Sequence, residues 1–452
     1  MLPNPKTIHC LTLIASFFLT QGALAATDDR ESLFDDMPAA TPTKPEKPSS
    51  GSGVKGFVQF ELARTTASPD HWSKMRTRAD LSSQGKINSD MKWKLGVRLD
   101  YDAVYDINDF YNADVRNDQR FNAVLRENYI DYSAGNWDFR FGRQHVIWGE
   151  MVGFFFADVV SARDMREFLL PDYDQLRTPQ WAARAEYFSD DYHAELLWIP
   201  VASYDNIGKP GAEFYPYYQV PAGFTSKYLQ EVRPERNADN MNYGIRLSTL
   251  KNGWDASTFF YRSTDVSATT YREIVLAPTP TVIFQSRHER ISQFGGTLAK
   301  DFGDVVLKGE AVYTKGRSFN VLNAMDADGV VAQNTVDWAT GLDFTLPAET
   351  RLNVQVFQRQ YFNYNPDLIS DKRENGYSLL LNTKFFNNWE AQATFISSTN
   401  RTDWLFRPRV TWNFERNWRL MLGADVFQGS PTGLFGRYDQ QDRVYSEVRY
   451  SF

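Results

Sequence analysis

Beyond residue 25 the only histidines are His71, His145, His193 and His288. His145 lies five residues before Glu150, and His193 lies two residues before Glu195. An imidazole beside a carboxylate can pass a proton in either direction, so these are the acid–base candidates. On an extended strand His193 and Glu195 share one inner face, which favours a lumenal hydrogen bond over acid–base work. No G-x-S-x-G elbow offers a nucleophile, and no set of His, Cys, Asp and Glu has metal-ligand spacing. We therefore expect no enzyme, no metal and no cofactor.

What positions these residues begins with the leader. Lys6 precedes an apolar run, Cys10 to Thr20, and Ala23-Leu24-Ala25 has the A-x-A form of a secretory cleavage site. A signal peptide over 1–25, cleaved after Ala25, is predicted. Its loss changes 49 basic residues to 48 against 56 acidic ones, taking the net charge from −7 to −8. That balance argues against a nucleic-acid partner. The chain's single cysteine is Cys10, so the mature protein cannot form a disulfide internally. Residues 26–54 are rich in Pro, Ser, Thr, Gly and acids, which predicts a disordered periplasmic tail.

From Lys55 to Phe452 the texture is extended. The last ten residues, R-V-Y-S-E-V-R-Y-S-F, alternate strictly and close on an aromatic, resembling the terminal strand of Gram-negative outer-membrane barrels. Similar segments are read at 55–66, 72–83, 91–104, 121–134, 137–149, 181–189, 192–200, 240–250 and 254–264. They continue at 282–300, 304–315, 335–346, 351–363, 374–386, 389–399, 404–415, 418–428 and 440–452. The expected fold is all-β, a transmembrane antiparallel β-barrel of about 18 strands, with 16 as the alternative. No stretch approaches the roughly 20 apolar residues of a spanning helix. The mean hydropathy of −0.48 suits a wall that shows lipid only alternate residues.

Connections alternate between short, Asn/Asp/Gly-rich turns and long loops, the pattern of periplasmic turns and external loops. Trp137, Trp254, Trp389 and Trp418 each follow a short turn and are read as interface anchors. Facing is assigned by the same period. Leu95, Val97, Leu99, Phe406, Val410 and Leu422 point to lipid. Arg98, Arg140, Arg184, Arg246, Arg351, Arg359, Arg407, Arg409 and Arg419 point to the lumen. This inner surplus of cations hints at anionic solutes. Alternation slips in 121–134, in the upper half of 137–149 and in 282–300, where bulges are expected. Pro408 is expected near the outer rim, where a missing N–H costs least.

The long segment at 150–180 is the candidate constriction. Val159, Ala162, Met165, Phe168 and Leu169 recur at helical spacing before Pro171, predicting a short amphipathic helix folded into the lumen. Trp148, Glu150, Asp158, Arg163, Asp164, Arg166 and Glu167 are its pore candidates. The stretches G-R-Q-H-V-I-W-G-E at Gly142 to Glu150 and D-V-V-S-A-R-D at Asp158 to Asp164 resemble those of a largely uncharacterised proteobacterial outer-membrane family, classed by a domain of unknown function. That resemblance implies an outer-membrane barrel working beside periplasmic carriers of lipidic compounds or exporters of the resistance-nodulation-division type. It brings no catalytic residues.

The function expected from these readings is a porin-like channel or facilitated transporter for small anionic or amphiphilic solutes. The alternative is an outer-membrane component of an envelope complex docked through the 26–54 tail. Expected partners are the bilayer, lipopolysaccharide and, during biogenesis, the outer-membrane barrel assembly machinery.

Overall fold

The computed structural model describes residues 53–452 apart from 108, 150, 152–155 and 324. The leader, most of the tail and Glu150 lie outside these residues. Eighteen antiparallel strands form one sheet that closes on itself. We number them β1 (Lys55–Thr65), β2 (Trp72–Lys86), β3 (Met91–Asp102), β4 (Phe121–Ala134), β5 (Trp137–Gln144) and β6 (Gln180–Phe188). Next come β7 (Tyr192–Val201), β8 (Asn242–Lys251), β9 (Trp254–Thr264), β10 (Arg290–Asp301), β11 (Val305–Asn320) and β12 (Val330–Leu346). The last are β13 (Thr350–Phe362), β14 (Arg373–Phe385), β15 (Trp389–Ser398), β16 (Asp403–Glu415), β17 (Trp418–Gly429) and β18 (Arg443–Ser451). Closure joins β1 to β18 in a register running from Phe57↔Ser451 to Thr65↔Arg443.

Closure matters energetically, because in hydrocarbon an unpaired edge would leave a row of unsatisfied N–H and C=O groups. Every connection from an even to an odd strand is a short turn, and the long excursions lie at the other end. Such turns need left-handed backbone, supplied for example by Asn252 (φ 54°) and Gly253 (φ 74°). Phe452 exchanges backbone hydrogen bonds with Gly56, so both ends of the wall sit at the short-turn end.

The expected facing holds along most of the wall. Leu95 and Leu422 are 55 % exposed on the outside, whereas Arg98 and Asp425 are buried on the inside. The slip in 121–134 has a cause in the register. Leu95 pairs with Asn128 but Val97 with Leu125, so Arg126 and Glu127 together oppose Gly96. This bulge reverses the parity: Phe121 and Leu125 face outward before it, and Ile130 and Tyr132 after it.

The other irregularities were not bulges. The 137–149 stretch stops being wall at Gln144 and turns inward. The 282–300 stretch is two strands: Thr281–Arg287 pairs outside the barrel with Thr225–Tyr228 and Thr269–Val275, and only Arg290–Asp301 enters the wall. Pro408 is not at the rim. It sits mid-strand in β16 opposite Ala393, and the ladder toward β17 skips Arg407 and Pro408, which accommodates the missing donor.

Candidate functional site

Between β5 and β6 the chain leaves the wall and enters the lumen, where its backbone pairs only briefly, Ala162–Arg163 with Arg177–Thr178 and Asp164 with Asn206. Buried N–H and C=O groups must find partners elsewhere, and side chains of the wall provide them. At the entry, Gln144 Nε2 donates to the Ala182 carbonyl (3.0 Å). The Trp148 indole donates to Glu195 on β7 (3.0 Å) and packs on Phe259 and Tyr261 of β9. It also lies against bare backbone at Gly244, where a Cβ would come within 2.7 Å of the ring. Glu310 on β11 accepts from the N–H groups of Phe156 (2.7 Å) and Ala157 (3.2 Å). This end of the segment is therefore seated on β7 to β11.

The far end is held by the opposite wall. Asp164 caps a single 3-10 turn, Met165–Glu167. Glu167 pairs with Lys74 and Arg76 of β2, and Arg443 of β18 lies 3.7 Å away. Arg407, itself paired with Asp425 (2.8 Å), donates to the carbonyls of Leu170 (2.6 Å) and Leu169 (3.4 Å). Arg409 meets Asp172 at 3.0 Å. Arg98 donates to the Gln175 carbonyl (3.0 Å), and Arg126, rotated inward by the β4 bulge, donates to the Arg177 carbonyl (2.9 Å). Arg177 closes the segment on itself through Asp158 (2.9 Å).

The electrostatics of this clamp follow from burial opposed by cations. Burial raises the Glu167 pKa, but Arg76, Lys74 and Arg443 outweigh it and hold the carboxyl well below its usual range. Asp172 is likewise raised by burial yet brought to about 2 by Arg409 and Arg419. Asp164 is lowered, with Arg166 overcoming its burial.

The expected amphipathic helix does not form. Its stripe is divided between two walls: Val159 joins Val146, Trp148 and Phe259, whereas Phe168 packs with Phe214, Phe427 and Phe435. Phe168 has φ 52°, which ends any helical path there. Among the described residues between β5 and β6 the only α-helix is the short Tyr173–Leu176.

The segment separates two cavities. A small one of about 50 Å³ lies toward β2 and β3 and is lined by Asp164, Arg166 and Glu167 among others. A larger one of about 620 Å³ lies toward β9 to β16 and the 430–437 loop, with Asp158 and Arg163 on its lining. The pore candidates are thus split between two spaces. Trp148 is a buried peg rather than a lining residue. At least seven of the nine inward arginines are ion-paired: Arg98–Asp80, Arg140–Asp131, Arg184–Glu186, Arg359–Asp337, Arg407–Asp425, Arg409–Asp172 and Arg419–Glu447. Arg351 has the inward parity of buried Asn353 and Gln355, and Arg246 that of Ser248, which bonds His193.

Trp137, Trp254 and Trp418 are about 40 % exposed at the short-turn end, and Trp389 stacks on Trp412 at 5.3 Å. Of the acid–base candidates, Glu150 beside His145 lies outside the described residues, and His193 does not meet Glu195. His193 pairs with Glu186 (3.1 Å), and Glu195 is engaged by Trp148. Sequence reasoning missed Glu61 and Asp403. The latter accepts from the N–H groups of Leu434, Phe435 and Gly436 and fixes the 430–442 loop. The inward parity of Glu61 was its only signal.

Residues 66–452 match the family described as "Protein of unknown function (DUF1302)". The chain belongs to the DUF1302 family. No curated protein matches this DUF1302 chain. Among solved structures it is similar to OccK8 (OprE) of Pseudomonas aeruginosa, at 8 % identity and a TM-score of 0.51 over 88 % of this chain and 97 % of that one. OccAB3 of Acinetobacter baumannii gives 8 % identity and a TM-score of 0.51 over 88 % and 98 %. OccAB4 of the same organism gives 10 % and 0.50 over 88 % and 97 %. At such identities the likeness is one of fold: this DUF1302 protein shares the closed β-barrel architecture of these structures.

Proposed function

We propose that the protein is an outer-membrane channel or facilitated transporter for small amphiphilic solutes, with residues 157–178 as its constriction. The observation that carries this reading is that one segment contacts β11 at Glu310 and β2 at Lys74 and Arg76, on opposite sides of the lumen. A barrel of eighteen strands is wide enough for a water-filled passage unless something enters it. A cavity of about 620 Å³ lies on one side of the segment, lined from β9 round to β16, so the solute path is eccentric. The ion pairing of the inward arginines weakens the case for simple anion attraction and favours the amphiphilic alternative.

In this reading the long loops face outward, the exposed indoles at Trp137, Trp254 and Trp418 anchor the periplasmic interface beside Trp389, and export removes residues 1–25. The chain carries solutes and assigns no residue to a reaction. Single-channel conductance in planar bilayers tests it, comparing the native chain with a deletion of Val159 to Leu169. Larger conductance and altered selectivity are expected in the deletion; identical values in both would remove the constriction.

A further inference from the structure

A strand in a closed wall needs a partner along both edges, and β4 has a full partner along only one. On the β3 side its ladder runs from Tyr101↔Phe121 to Met91↔Tyr132. On the β5 side it runs only from Asn128↔Arg143 to Ala134↔Trp137. Among the described residues no strand pairs with Phe121 to Glu127 on that side. The cause is the inward turn at Gln144. Beyond it the chain departs toward β6 to β9, where Val146 and Trp148 join Ala182, Leu197 and Phe259. The row Asn128↔Arg143 continues to Trp181 of β6. Above that row, β4 and the chain leading into β6 stand two strand spacings apart, about 10 Å.

What spans this interval is a side chain. Arg126 donates to the carbonyls of Arg177 (2.9 Å) and Asp174. Arg177 in turn holds Asp158 (2.9 Å), which lies on the lining of the larger cavity. One arginine and one ion pair therefore stand between the interval and that cavity. The outside of the interval is apolar: Phe121 and Leu125 of β4 are 60 % and 50 % exposed, and Phe141 and Trp181 flank it at 54 % and 43 %. These residues set the interval within the hydrocarbon band. An open sheet edge is tolerated there only where protein covers it or where it lines a passage.

We infer that the interval between β4 and β6 is a lateral opening, through which small uncharged molecules soluble in the bilayer pass between the lumen and the membrane. The inference rests on the channel reading for the arrival of the solute in the lumen, and on the interrupted ladder alone for its exit. A charged solute would have to shed its water among Phe121, Leu125 and Trp181, a far greater cost than an apolar one meets. Arg126 is bound to the same segment that Glu167 clamps, so release of the segment frees the side of the barrel as well as its axis.

Residues 26–452 contain no cysteine, so a pair can be placed across the interval. Leu125→Cys and Thr178→Cys stand above the last row shared by β4, β5 and β6. A bifunctional methanethiosulfonate reagent with a reach of about 10 Å bridges them, and dithiothreitol removes the bridge. The full mature chain is exported in a Gram-negative host, whose lipopolysaccharide leaflet slows the entry of phenylnaphthylamine, an uncharged dye that fluoresces in lipid. The unbridged chain should speed dye entry. Bridging should return it to the rate of cells lacking the protein, and dithiothreitol should restore it, with single-channel conductance unchanged throughout. Val124→Cys with Thr178→Cys supplies the same test if the first pair lacks the heat-dependent electrophoretic shift of a folded barrel or does not bridge. Dye entry that survives the bridge, or dye entry and conductance lost together, would route the dye along the axis and overturn the inference. So would failure of both pairs to bridge, the result expected if a second copy of the chain covers this edge. Conductance without dye entry sinks the lateral route and leaves the channel; bridge-sensitive dye entry without conductance sinks the channel and leaves the opening.

Discussion

Glu167→Gln is the most informative single change. Lys74, Arg76 and Arg443 surround this carboxylate, and their side chains are 7 %, 12 % and 5 % exposed. With Arg407 they make four cations against Glu61, Glu167 and Asp425; the variant leaves four against two. Removing one partner of a buried ion pair costs about 3–5 kcal/mol. Arg76 keeps Glu61 and Arg443 keeps Asp425, so the lower figure of about 3 kcal/mol applies. Charged to the docking of the segment, that raises its opening equilibrium by roughly a hundred-fold. Hydrogen exchange read by mass spectrometry on the full chain should show residues 162–178 exchanging faster by about that factor, with β9 to β14 unchanged. Unchanged exchange over 162–178 in a folded Glu167→Gln barrel would refute the clamp.

Three further outcomes follow from the same geometry. Asp172 has its pKa lowered from 3.8 to about 2, so its contribution is present above pH 3.8 and is lost as pH falls toward 2; exchange near residues 169–174 should accelerate only in that window, and Arg409→Gln should remove the effect. In the loops, His71 Nε2 meets Glu213 (2.9 Å), which Tyr111 also contacts (2.8 Å). Burial lowers the His71 pKa, but Glu213 and the Pro69 carbonyl raise it above 6.5 overall, so this contact is fully present below pH 6.5 and is lost as pH rises through the raised value. Proteolysis of the 104–120 loop should therefore quicken at pH 9 over pH 6, and Glu213→Gln should erase the difference. Deleting residues 26–52 should leave conductance unchanged if the barrel acts alone; lost transport from an intact barrel would favour docking to a periplasmic carrier or exporter.

Much of this architecture is legible in the chain because a lipid-facing wall enforces a two-residue period and closes each hairpin with Asn, Asp or Gly. The facing of Arg98, Arg407 and Arg419 follows from parity alone. Their partners do not: Arg407 and Leu170 lie 237 residues apart, and nothing local in either announces the other. The slip of phase in 121–134 announces a bulge but not its position, because an insertion changes the parity without marking the residues, Arg126 and Glu127, at which it occurs. The helix expected over Val159 to Leu169 fails for a related reason. Helical spacing reports only that apolar residues recur, not that they serve walls on opposite sides of a lumen.

The central claim is that the passage runs along β9 to β14 and not along β2 and β3. The chain's single cysteine is Cys10, so one cysteine introduced into a chain that begins after residue 25 can be probed cleanly. Asn375→Cys lines the larger cavity and Asn122→Cys the smaller one. A charged methanethiosulfonate reagent should reduce single-channel current through Asn375→Cys and leave Asn122→Cys unaffected. Block at Asn122→Cys with none at Asn375→Cys would place the path on the wrong side of the segment and contradict the account.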